Sequence, residues 1–154
     1  MKENGKISKR SAFTLIEIVI SVGILTTLAG FGLFVAVDQY KNYVLTSERN
    51  TVVSLLQKAR GRALNNISEK RHGVAIQPTG KPSSYVLFRG LSYSARDPIY
   101  DEEVPVSQAI SFSGITEFTF KQLSGDALTA GTVTISTTEK SLSIAVNSEG
   151  RITW

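Results

Sequence analysis

The chain has 154 residues, 42% hydrophobic and 19% charged, which excludes wholesale disorder and allows one modest domain beside any membrane segment. The absence of cysteine excludes a disulfide framework, a thiolate metal site and a cysteine nucleophile. Net charge is +4, but Lys2, Lys6, Lys9 and Arg10 against Glu3 put +3 of it in residues 1–12, so the remaining 142 residues carry only +1 and the bulk of the chain has no basic bias toward nucleic acid.

Residues 18–37 are twenty in a row without a charged side chain. As a helix they would rise about 30 Å, the thickness of a bilayer's hydrocarbon core. Asp38 and Lys41 mark the return to water, and Gly23, Gly30 and Gly32 are tolerated better in a membrane helix than in a soluble one. A buried core helix is the alternative. The basic cluster ahead of the run predicts a cytoplasmic N-terminus and an extracytoplasmic position for residues beyond about 40. A cleaved secretory signal would need a shorter apolar core followed by small residues, and here Asp38-Gln39-Tyr40 follows. Neither solvent explains Glu17, since lipid and protein interior both penalise an unpaired carboxylate.

The stretch "SAFTLIEIVISVGIL" resembles the N-terminus of type IV prepilins and type II secretion pseudopilins. Phe13, Thr14, Leu15, Ile16 and Glu17 match that motif position by position, while Ala12 stands where Gly is commoner. The resemblance implies cleavage between Ala12 and Phe13 by a prepilin peptidase and N-methylation of the new Phe13 amine. It also implies a role for Glu17: paired with the N-terminal amine of a neighbouring subunit inside an apolar bundle, the carboxylate fixes assembly register.

Beyond the apolar run, Leu45, Val52, Leu55, Leu56, Ala59, Ala63 and Ile67 recur mainly at three- and four-residue steps. With no proline in residues 13–77, one helix running to about Asn66 is expected, stopped by Asn65-Asn66. Arg49, Lys58, Arg60, Arg62, Lys70 and Arg71 read as a solvated face opposite the stripe, or as a patch for acidic partners or DNA. From Gly73 the period changes. "GVAIQ", "SYVLFR", "AISFS", "ITEFTFK", "GTVTIST", "LSIAVN" and "RITW" are short, rich in β-branched and aromatic residues and bounded by turn formers. "STTEKS" reads as a hairpin loop, "NSEG" as a turn, and residues 91–105 as a long surface loop.

The expected fold class is therefore α+β, a long N-terminal helix packed on a small antiparallel β-sheet domain. The divisions are a leader over 1–12, a transmembrane helix over 13–37, its amphipathic continuation over 38–72 and a β domain over 73–154. "LLQKARGRALNN", "GVAIQPTGKPSSYVLF" and "GTVTIST…SLSIAVNSEGRITW" resemble the GspH/FimT-type minor pseudopilins. That likeness implies a pilin-like fold and a structural subunit of a type II secretion pseudopilus or type IV pilus. Its partners would be other pilin or pseudopilin subunits, the prepilin peptidase and the lipid of the bacterial cytoplasmic membrane, crossed once.

Raw material for catalysis is scarce, and no enzyme activity or cofactor is implied. His72 is the only histidine and reads as a surface residue at a helix end. Asp97, Asp101, Glu102 and Glu103 could in principle hold Ca²⁺, but lack the spacing of a calcium loop and read as a solvated acidic loop. No phosphate-cradling glycine motif occurs. Trp154, Phe118 and Phe120 read as core aromatics. Two other functions remain open: a DNA-binding minor pilin, with Arg151, Lys140, Arg60 and Arg62 as contacts, and a signal-anchored extracytoplasmic binding domain. Against the first, residues 95–154 hold four basic and eight acidic side chains, a balance that repels phosphate.

Overall fold

The structure, a computed structural model, describes residues 13–77, 80, 83–107 and 110–154, with residues 33–38 as helix backbone alone. It is α+β: a long N-terminal helix, α1 (Leu15–Leu64), two single-turn 3-10 helices and two four-stranded antiparallel sheets. The leader expected over residues 1–12, Ala12 included, lies outside the described residues. The chain divides into two compact units, Met1–Gln39 and Tyr40–Trp154.

In the first unit, Leu15–Gly32 has a mean hydropathy of 2.0 and none of its side chains is buried. Eighteen residues rise about 27 Å as a helix, so by length and composition this segment can cross a membrane. Glu17 is its one charged side chain.

In the second unit, α1 buries Leu45, Val52, Val53, Leu55, Leu56, Ala59 and Ala63. Fully burying a leucine such as Leu56 stabilises by roughly 2 kcal/mol, so this stripe ties the helix to the domain. The helix ends at Leu64, at the Asn65-Asn66 stop expected, so Ile67, counted in the stripe, lies beyond it and is exposed. Asn66 turns left-handed (φ 52°), a conformation Asn tolerates at a helix end. The Ala63 carbonyl accepts the N–H groups of Asn66 (3.2 Å) and Leu123 (2.9 Å), which satisfies one of the last turn's free acceptors from outside the helix.

The first sheet has the order β3 (Glu102–Pro105), β2 (Ser84–Arg89), β1 (His72–Ile76), β5 (Glu117–Phe120). The second has the order β4 (Ser111–Gly114), β6 (Gly131–Ser136), β7 (Ser141–Val146), β8 (Ile152–Thr153). One core joins both inner faces to α1: Val74, Ile76, Tyr85, Leu87, Phe118 and Phe120 from the first sheet, Val133, Ile135, Ile144 and Val146 from the second. Two sheets stand where one was expected. The chain leaves the second sheet at Gly114 (φ 90°) and re-enters the first at Glu117, so consecutive strands part company, and strand patterning carries no information about partners.

The seven expected strand segments are present. The eighth, β3, lies inside the stretch 91–105 that reads as a loop. Its sequence, Glu-Glu-Val-Pro, is poor strand material, tolerated because β3 is an edge that pairs only with β2. The rest of that stretch is no free surface loop either. Tyr93 packs edge-on against Phe88 (ring centroids 6.0 Å apart) and covers Ala75 and Val86 on the outer face of the first sheet. This is why β1 and the centre of β2 are buried on both faces rather than alternating. Trp154, expected in the core, is exposed after β8.

Candidate functional site

At the start of α1, Thr14 precedes the first helical residue and its Oγ1 accepts the Glu17 N–H (3.4 Å). Thr14-Leu15-Ile16-Glu17 thus has the Thr-x-x-Glu spacing of a capping box, with an acidic residue at the positive end of the helix dipole. The sequence reading missed this local role, although the spacing was legible. Further along, the hydroxyls of Ser21, Thr26 and Thr27 donate to the carbonyls of Glu17, Val22 and Gly23 at 2.7, 2.5 and 2.6 Å. Such back-bonding removes their need for water and makes them compatible with an apolar medium. The Glu17 carboxylate is different. Exposed on the helix, it has no hydrogen-bond partner among the described residues. Phe13, three-quarters exposed, is the first described residue.

The four acidic residues of the 97–103 stretch do not form a cation site; no group of metal-ligating side chains occurs among the described residues. The Asp97 Oδ2 accepts from Arg89 (3.1 Å), and the Asp101 Oδ2 from Arg96 Nε (2.8 Å). Glu102 takes Lys58 Nζ on one oxygen (2.6 Å) and Arg62 Nη2 on the other (2.5 Å). Contrary to the solvated loop expected, the Asp101 side chain is buried, its Oδ1 lacking a partner among the described residues. The arginines are held from above by rings: Arg96 lies 3.7 Å from the Tyr93 ring centre and Arg89 3.4 Å from that of Tyr100.

Of the helix cations, Lys58, Arg60 and Arg62 are engaged with the β domain. Lys58 and Arg62, one turn apart, converge on Glu102 of β3 and hold its carboxyl below the usual carboxylate range, Lys58 contributing most. Arg60 donates to the carbonyls of Gly125 (3.2 Å) and Glu149 (3.1 Å), pinning the turn 147–150. Gly150 (φ 74°) is required there, because a Cβ would sit 2.0 Å from the Gly125 carbonyl oxygen. Of the four candidate nucleic-acid contacts, Arg60 and Arg62 are therefore engaged. Arg151 and Lys140 flank opposite ends of β7, about 23 Å apart along the strand, so the four form no single cluster.

His72 corrects its expectation as well. It opens β1, is buried, and its Nδ1 lies 3.1 Å from the Lys70 carbonyl. Burial, then the nearby Arg62 and Arg89 charges, lower its pKa below the ordinary 6.5. Tyr85, also buried, donates to Glu48 Oε2 (2.6 Å), while Glu48 Oε1 accepts the Ser107 N–H (3.0 Å). Burial, reinforced by the Glu48 carboxylate, pushes the phenol far above its usual range. This pair stitches α1 to β2 and to the segment after β3 by direct hydrogen bonds. The chain matches no protein-family model, no curated protein and no solved structure.

Proposed function

We propose that this chain is a structural minor subunit of a type II secretion pseudopilus or type IV pilus, inserted in the bacterial cytoplasmic membrane as a precursor. The reading rests on the sequence motif and on one observation. An exposed apolar helix has its hydroxyls satisfied internally, and a single carboxylate, Glu17, is left without a partner among the described residues. Cleavage between Ala12 and Phe13 creates an amine about 6 Å along the helix axis from Glu17. Methylation leaves that Phe13 amine cationic and able to pair with a carboxylate. In a bundle of such helices, the amine of one subunit meets Glu17 of the next. Helices exchange lipid for protein contact, and the cost of the buried charge is offset in one register only. The second unit supplies the surface that neighbours or cargo meet, and catalysis has no part in the mechanism.

Two measurements test this. Mass spectrometry of protein from a host with an active prepilin peptidase should find a chain beginning at methylated Phe13; an intact 1–12 segment overturns the reading. Glu17→Ala should insert in the membrane and be cleaved normally yet fail to enter the filament, and normal incorporation overturns the registry role. Thr14→Ala separates the two roles of this turn, since it removes the cap but keeps the carboxylate.

A further inference from the structure

The two sheets have four edges, and three are protected against pairing. β3 carries Glu102 and Glu103 and ends in Pro105, which has no N–H to offer. β5 is covered from outside: Phe120 bridges to Ala127, and Leu128 donates to the Thr119 carbonyl (2.8 Å). β8 is two residues long and follows Arg151. The fourth edge, β4, is Ser111-Phe112-Ser113-Gly114, without a charge or a proline, and residues 104–116 contain no charged side chain at all.

The groups β4 presents can be assigned. Ile115 donates to the Thr132 carbonyl (3.0 Å), and antiparallel pairs alternate, so Ser113 opposite Thr134 and Ser111 opposite Ser136 are the other bonded pairs. The N–H and C=O of Phe112 and Gly114 then point away from β6, and no described strand pairs there. The outer face of the same sheet is equally plain. Its rows run Ser111–Ser136–Ser141, Ser113–Thr134–Ser143 and Thr132–Ala145–Thr153, hydroxyl-bearing apart from Ala145 and wholly uncharged.

We propose that β4 docks a second copy of this chain, whose own β4 adds antiparallel about a two-fold axis through Ser113, joining two second sheets into one of eight strands. In this register Phe112 of each copy exchanges two hydrogen bonds with Gly114 of the other, so four outward donors and acceptors on each side are satisfied. A register centred on Phe112 fails, because it sets Ile110 against Gly114, and the Ile110 N–H already bonds Ser107. Gly114 leaves room for the facing Phe112 ring, which sits half-buried and edge-on to Tyr85 (5.7 Å) and gains cover from the pairing. Charge favours self-pairing here over β3: β3 against β3 would set Glu102 and Glu103 against each other, whereas β4 brings no charge to the seam. Ser111 and Ser113, the β4 side chains on the outer face, are too short to obstruct the seam. The inference does not depend on the filament reading.

The full chain in detergent micelles tests it by disulfide trapping, since an engineered cysteine is the only one present. On the axis, Ser113 faces its copy at a Cα separation of about 4.5 Å, inside disulfide range. S113C should oxidise to a dimer with about tenfold the yield of T138C, in the exposed β6–β7 hairpin, once circular dichroism shows both variants folded. S111C should also stay monomeric, because this register sets it about 13 Å from its copy. Equal yields for the three variants, a dimer through S111C instead, or S113C linking only to a different protein would each overturn the proposal.

Discussion

Within α1, Leu15–Gly32 and the turns bearing Leu45 to Ala63 share one backbone geometry but are stabilised by different means. In the first, apolar residues surround the helix and none is buried, the pattern of a segment that by length and composition can cross a membrane. In the second, apolar residues form a stripe that meets the chain's own sheets, and of the charges on its flanks Lys58 and Arg62 share Glu102 while Arg60 takes backbone carbonyls. The difference teaches that hydrophobic content alone says little about where a helix finds its solvent. What distinguishes the halves is whether the apolar positions go all round or keep to one side.

The sharpest way to break that comparison is to truncate one leucine in each half. Leu56→Ala, at a fully buried position, should cost roughly 2–5 kcal/mol in a urea melt followed by near-ultraviolet circular dichroism. Leu25→Ala, exposed in the first half, should leave the same transition unmoved. Next is Tyr85→Phe, which strips the Glu48 carboxylate of its buried donor and should cost about 1–3 kcal/mol by the same melt. Glu102→Gln weakens the link from Lys58 and Arg62 to β3. Because these groups are half exposed, the loss should be only about 0.5–1 kcal/mol and should shrink further in high salt.

The smallest effect is on pH dependence. The fold lowers the His72 pKa, so the unfolded chain binds the proton first and this contribution is full above about 6.5, fading as pH falls toward the folded value. His72→Gln should flatten the stability profile between about pH 7 and 5. Glu102, also lowered, contributes above about 4.5 and loses its contribution only as pH falls lower still, so Glu102→Gln should leave the upper window unchanged.

Much of this was legible in the chain itself. The apolar run follows from its length, the helical stripe from a period of 3.6 and the seven strands from short β-branched and aromatic runs bounded by turn formers. The stripe missed only Val53 among the residues α1 buries, and overreached only at Ile67, which the left-handed Asn66 turns out of the helix. β3 was hidden because two glutamates and a proline suit an edge strand only when β2 is beside it. His72 read as a surface residue since its burial depends on β2 and β5 pairing on either side of β1, whereas Asp101 is held by Arg96 only five residues away. The candidate nucleic-acid contacts dispersed for the same long-range reason as His72, Arg60 being taken by carbonyls 65 and 89 residues away.

By itself, then, the sequence determined what local periodicity and local chemistry can: an apolar segment long enough for a bilayer, a carboxylate within it, the Thr14 cap beside it, and the strand-forming segments. Tertiary structure decided which strands share a sheet, that there are two sheets rather than one, which cations are engaged and which edge is left bare. Outside the hairpins, pairing and burial are relations between residues far apart in the chain, beyond the reach of a local period.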